Sequence, residues 1–135
     1  SSLVVGPGLG RDAKMLRDAG EILRAARRIG LPTVVDADGL FMVSQDLDAV
    51  RGFTGCVLTP NVNEFRRLCA AAGLVPEGEA AGAGSSSEST KELTAGLARA
   101  LGGVTVVCKG PQDIISDGVH TLVADFEGSN RRCGG

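Results

Sequence analysis

The 135-residue chain is 43% hydrophobic and 22% charged, with a mean hydropathy of +0.13, the makeup of one globular domain with enough apolar side chain for a core. That apolar surface excludes wholesale disorder. Fourteen Lys+Arg against sixteen Asp+Glu leave a net charge of −2, which argues against nucleic acid as the main partner, and no apolar run reaches the ~18–20 residues of a membrane span.

Leu3-Val4-Val5 reads as a buried strand stopped by Gly6-Pro7-Gly8-Leu9-Gly10. Asp12 caps the next helix, whose apolar face is Leu16, Ala19, Ile22, Leu23, Ala26 and Ile29. Gly30 and Pro32 end it. Thr33-Val34-Val35-Asp36 is a second strand, running into a loop at Asp36-Ala37-Asp38-Gly39, and a short helical stretch lies around Leu47–Val50. Cys56-Val57-Leu58-Thr59 is a third strand, stopped by Pro60; Asn61 or Asn63 then opens a helix through about Ala72. Residues 74–88 are Gly-, Ala- and Ser-rich and read as a flexible surface insertion.

Ser89-Thr90-Lys91-Glu92 fits a capping box for a helix whose apolar face is Leu93, Leu97 and Leu101. Gly102-Gly103 end that helix, and Val104–Cys108 is a fourth strand entering Lys109-Gly110. Ile114–Ser116 and Val119–Ala124 flank Asp117-Gly118, a two-residue hairpin signal. Strand–helix alternation with continuously apolar strands predicts a mainly parallel sheet covered on both faces by helices, followed by an antiparallel hairpin. In such sheets ligands gather beyond the carboxyl ends of the strands. The informative residues fall there, at Gly6–Asp12, Asp36–Gly39, Thr59–Glu64 and Lys109–Asp113.

Each of these motifs has a chemical and a plain structural reading. The glycine loop presents N–H groups to an anion, or is a tight turn. It is not a dinucleotide fingerprint, because Arg11 stands where the third glycine belongs. Asp36 and Glu64 are carboxylates placed to hold Mg²⁺ beside phosphates, or an Asx turn and a first-turn helix charge. Lys109-Gly110 puts a cation and bare backbone where a phosphate would lie, or is a solvated strand end. Ser129-Asn130-Arg131-Arg132-Cys133-Gly134-Gly135 opens an anion-binding glycine loop, or is a basic surface loop. His120 is read as a structural residue of a hairpin strand. Cys56, Cys69 and Cys108 have no zinc spacing and read as buried hydrophobes, with Cys133 set apart in the glycine-rich tail. Ser1-Ser2 directly before a strand, and a close in loop-like sequence, read as a piece of a longer protein.

Taken together, Val4–Asp12, Val35–Leu40, Leu58–Phe65, Lys109-Gly110 and Arg131–Gly135 closely resemble the ATP-dependent NAD(P)H-hydrate dehydratase family of the ribokinase-like superfamily, over nearly the whole chain outside 74–88. The arginines before the last glycines resemble its eukaryotic, ATP-using branch. The resemblance implies one partial ribokinase-like domain over 1–135, a three-layer α/β/α fold with a mainly parallel sheet and a C-terminal β-hairpin. It implies ATP-driven repair of hydrated NADH and NADPH, by phosphorylation of the ring hydroxyl and loss of phosphate, with Mg²⁺ as cofactor.

By the same resemblance Gly6, Gly8, Gly10 and Asn61, Val62, Asn63, Glu64, Phe65, Arg66 and Arg67 contact the hydrate. Lys109, Gly110, Pro111, Gln112 and Asp113, with Gly128, Ser129, Asn130, Arg131, Arg132, Cys133, Gly134 and Gly135, contact ATP. Asp36 and Glu64 are the metal candidates. The family's catalytic aspartate is expected beyond Gly135, so this chain by itself is expected to be inactive. Partners are small molecules rather than nucleic acid or membrane, in an intracellular compartment that no residue here specifies, and a homo-oligomer is open. The alternatives are another ribokinase-like small-molecule kinase, which would release a stable phosphorylated alcohol, and a non-catalytic nucleotide-binding protein.

Overall fold

In the computed structural model, which describes residues 1–74 and 87–124, alternating strands and helices build one sheet. The strands are β1 (Leu3–Val5), β2 (Thr33–Val35), β3 (Cys56–Leu58), β4 (Thr105–Cys108), β5 (Asp113–Ser116) and β6 (Thr121–Ala124), lying side by side in that order. β1 to β4 are parallel, and β4–β5 and β5–β6 are antiparallel. Helices α1 (Ala13–Ile29), α2 (Asp38–Gln45), α3 (Val62–Ala71) and α4 (Ser87–Ala100) connect or precede the parallel strands. A 3-10 turn at Leu47–Ala49 follows α2.

The strand order advances one place at each parallel step, so right-handed crossovers put the helices on one face of the sheet. The contacts agree: α1 packs on α2, α2 on α3 and α3 on α4. Beneath them Val35, Leu58 and Val106 are fully buried with Leu23, Leu40, Val43, Phe65, Leu68, Leu97 and Leu101. Among the described residues the opposite face has no helix, and Val4 and Leu122 stay 60% and 64% exposed there. The described residues thus supply two layers, a sheet and one set of helices. None of their helices is long and apolar enough to cross a membrane.

Local chemistry explains the boundaries. Asp12 caps α1, its carboxylate accepting from the Lys14 and Met15 N–H groups at 3.2 and 3.3 Å. Ile22 and Ile29, expected on the apolar face of α1, are exposed, because the buried stripe is narrower and runs through Ala19, Gly20, Leu23 and Ala26. The loop expected at Asp36–Gly39 instead starts α2. The run Leu40-Phe41-Met42-Val43 is apolar all round and hides the helical period.

Ser89 does not cap α4, which already begins at Ser87 in a serine-rich stretch offering several equivalent starts. A true capping box occurs on α3, between Asn61 and Glu64. The β5–β6 connection has four residues, Asp117–His120, rather than two. The Asp117 carboxylate accepts from the Val119 and His120 N–H groups at 2.9 and 2.8 Å and curls the chain into a wider turn. His120 therefore sits in that loop, exposed, rather than in a strand. The insertion expected at 74–88 falls mostly outside the described residues.

Candidate functional site

Chemistry-bearing residues meet where the parallel strands end. After β1 the chain turns at Gly6 with φ +132, which side-chain-bearing residues rarely adopt. A Cβ there would stand 1.7 Å from the Asp36 carbonyl oxygen, and one on Gly39 would stand 2.8 Å from that of Val5. The ends of β1 and β2 are interlocked backbone against backbone. Asp36 donates its N–H to the Val5 carbonyl and Gly39 donates to the Asp36 carbonyl, both at 3.0 Å. Between the two aspartates Ala37 holds φ +51, the one positive φ outside glycine among the described residues. Backbone strain of this kind persists only where the surroundings enforce it.

Asp38 ties the glycine loop to the start of α2. Its Oδ2 accepts the Gly10 N–H at 2.9 Å and its Oδ1 lies 3.6 Å from Arg11 Nε. Arg11 and Arg67 both approach the Phe41 ring, with guanidinium carbons 4.1 and 5.4 Å from its centroid. The glycine loop, α2 and α3 therefore share one cationic surface. On the other side, Lys109 Nζ lies 3.6 Å from Asp36 Oδ1. The Lys109 N–H donates to the Pro60 carbonyl at 2.9 Å, which draws the ends of β3 and β4 together. Thr59 Oγ1 donates to the Val35 carbonyl at 3.3 Å.

These contacts bring Gly6, Gly10, Asp36, Arg67 and Lys109 to one edge. Other expected site residues have structural duties. Phe65 turns fully into the core. Glu64 Oε1 accepts the Asn61 N–H at 2.9 Å while Asn61 Oδ1 accepts the Glu64 N–H at 2.8 Å. Asp113 Oδ1 accepts the Gly110 N–H at 3.3 Å, which closes the Lys109–Asp113 turn. Residues Gly128–Gly135 lie outside the described residues.

Among the described residues no group of three or more His, Cys, Asp or Glu is placed to hold a metal. Mg²⁺ needs only one or two carboxylates when phosphates complete its shell. Lys109 engages Asp36 Oδ1 and the Asn61 N–H engages Glu64 Oε1, which leaves Asp36 Oδ2 and Glu64 Oε2 without a partner among the described residues. Thiol chemistry does not fit. Burial pushes Cys56 and Cys69 up to about 12 and Cys108 up to about 11, so all three stay protonated near neutrality.

Sequence reasoning passed over Arg11, Asp38 and Phe41 as site residues. The available signal was compositional: one of only four phenylalanines follows a strand-end Asp-x-Asp-Gly by two residues.

A family model described as NAD(P)H-hydrate dehydratase matches residues 1–135. An ATP-dependent (S)-NAD(P)H-hydrate dehydratase from Aspergillus fumigatus is 46% identical over 99% of this chain and 38% of its own length. One of the same name from Bos taurus is 47% identical over 99% of this chain and 38% of its own. The chain thus spans well under half the length of these relatives. Among solved structures, a hydroxyethylthiazole kinase from Pyrococcus horikoshii superposes with TM-score 0.66 at 27% identity, over 90% of this chain and 44% of that one. A ribokinase-like superfamily protein from Enterococcus faecalis gives TM-score 0.62 at 20% identity, over 92% of this chain and 39% of that one, a likeness of fold.

Proposed function

The chain belongs to the NAD(P)H-hydrate dehydratase family, and from that premise we propose that the full-length protein carrying it uses ATP to return hydrated NADH and NADPH to NADH and NADPH. The observation that carries this reading is the meeting of the Gly6–Gly10 loop, Asp36, Lys109 and Arg67 at the ends of the parallel strands, in a chain matched end to end by the family.

In the proposed reaction the hydrate's hydroxyl oxygen attacks the terminal phosphorus of ATP and ADP leaves. The new phosphate ester then breaks at its carbon–oxygen bond. Phosphate departs with that electron pair, the neighbouring ring carbon gives up a proton, and the ring double bond returns. Phosphorylation replaces a poor leaving group, hydroxide, with a good one. What the protein must supply is position and fixed positive charge toward the moving oxygens.

Lys109 and the Lys109–Asp113 turn hold the ATP phosphates in this reading, and the Gly128–Gly135 segment is assigned to the same task. Gly6–Gly10 and the polar side of α3 hold the hydrate. Mg²⁺, when bound through the free oxygens of Asp36 and Glu64, would neutralise phosphate charge. The general base is assigned to an aspartate outside these 135 residues, so the chain alone is expected to turn over no hydrate.

The test mixes full-length protein with ATP, Mg²⁺ and hydrated NADH and follows the reduced-nicotinamide absorbance beside ADP release. A rise in absorbance matched by ADP is expected. ADP formed with a stable phosphorylated alcohol and no absorbance gain would replace this reading with that of a small-molecule kinase.

A further inference from the structure

Among the described residues, the loop stretch 7–11 makes two hydrogen bonds. The Leu9 N–H donates to the Gly6 carbonyl at 3.1 Å, within the loop. The Gly10 N–H donates to Asp38 Oδ2 at 2.9 Å, outside it. Gly8 and Gly10 hold φ +73 and +77, and a Cβ built on either would meet nothing within 4 Å. No packing on that side keeps these residues where they are, so the loop's far end depends on Asp38.

The backbone commits Asp38 to this contact. Ala37, at φ +51 and ψ −127, turns the chain between β2 and α2. The turn sends two neighbouring carboxylates to different parts of the site. Asp36 Oδ1 lies 3.6 Å from Lys109 Nζ, while Asp38 faces Gly10 and, at 3.6 Å, Arg11 Nε. Strain at such a turn marks a geometry that its surroundings enforce. Of the two contacts Asp38 makes, the bond to Gly10 carries more. It is short and charge-assisted, whereas the Arg11 pair is longer and its guanidinium is half-exposed, where solvent screens it. Arg11 is steadied instead by the Phe41 ring, 4.1 Å from its guanidinium carbon.

We propose that Asp38 is a positioning residue for the hydrate: through Gly10 it sets the shape of the Gly6–Gly10 loop before the substrate arrives. This rests on the function proposed above, which lays the hydrate against that loop. It adds a residue outside the loop that determines how the loop fits its substrate. A loop ordered in advance does not have to be ordered by the ligand, so losing the tie weakens binding. A carboxylate in the first turn of α2 also favours that helix through its dipole, and the test has to separate the two duties.

The test compares full-length wild type with Asp38→Ala and with Asp38→Asn, which keeps an oxygen for the Gly10 N–H and loses the charge. The KM for hydrated NADH should rise about tenfold or more in Asp38→Ala, the size of one lost charge-assisted hydrogen bond. It should rise about threefold in Asp38→Asn, with kcat and the KM of ATP held within about twofold in both. Without substrate, amide exchange should quicken at Gly10 in Asp38→Ala and stay as in wild type along β2 and β3.

A lowered melting temperature with the hydrate's KM unchanged would leave Asp38 a helix-start residue and overturn the proposal. So would a KM for ATP that rises as far as the hydrate's. Should Asp38→Ala not fold, Asp38→Asn decides: a rise confined to the hydrate supports the proposal, and a KM equal to wild type overturns it. A wild type that turns over no hydrated NADH fells the function proposed above. Calorimetry with the same hydrate then judges Asp38. The proposal stands if Asp38→Ala binds the hydrate about tenfold more weakly than wild type, and falls if the two bind alike or neither binds.

Discussion

The two faces of the sheet are made of the same kind of residue and meet different fates. Val35 on β2 and Leu58 on β3 are fully buried beneath the helices, while Val4 on β1 and Leu122 on β6 look outward from the other face, 60% and 64% exposed. Val4 and Val5 are chemically identical neighbours, and only Val5 is buried. The difference comes from the two-residue period of a strand combined with crossovers of a single hand. Hydrophobicity marks a residue as able to enter a core; which helices stand over it decides whether it does.

The seam where the covered layer meets the strand ends is the place to break this arrangement most severely. Gly6→Ala would drive a methyl group into the Asp36 carbonyl at a φ of +132. A loss on the order of 4 kcal/mol or more is expected in urea denaturation, with the site distorted alongside.

Within the sheet, Leu58→Ala should cost about 2–5 kcal/mol, because the covered layer cannot refill the space. Leu122→Ala on the open face should change stability by less than about 1 kcal/mol. Equal effects from the two would refute the contrast between the faces. In the 135-residue chain, Leu122→Lys should lower light scattering at unchanged melting temperature, since it breaks an exposed apolar surface.

The thiols sharpen the same comparison. Cys56 and Cys108 lie on the covered face, and Cys69 lies on α3. Their folded-state values are raised above the ordinary thiol range, so the stability tied to their neutral form is complete below about pH 9. It is lost as pH climbs toward 11–12, because the unfolded chain ionises first. Denaturation midpoints should fall over that window, and iodoacetamide should label these cysteines only after unfolding.

A smaller effect is expected at the exposed hairpin. Two backbone N–H groups hold the Asp117 carboxyl below the usual carboxylate range. Its contribution is present above about pH 3.8 and fades as pH falls through the lowered value. Asp117→Asn should lower neutral stability slightly and flatten the acid end of the melting profile, because the charge-linked contribution is then missing at every pH.

Much of the site was legible locally. A glycine loop after an apolar strand, an aspartate at the next strand end, Asn-x-x-Glu opening a helix and Lys-Gly after a strand all fall where they were read. Arg11, Asp38 and Phe41 were not legible, because their roles arise from contacts across loops and helices. Asp38 reaches Gly10 across 28 positions. Arg66 and Arg67 entered the sequence reading only through the family resemblance, as hydrate contacts; the packing of α2 against α3 sets them beside a groove with no acid among the described residues that line it.

Periodicity, caps and turn residues are short-range physics, and they determined the alternation of strands and helices, the parallel sheet, the closing hairpin and the places where strands end. Long-range packing decided the rest. Among the described residues it made a helix of the uniformly apolar stretch after Asp38, put the helices on one side, buried Val5 and exposed Val4, and left Arg66 Nε without an acceptor. A residue's neighbours within a few positions are written in the chain; those brought to it by the sheet are not.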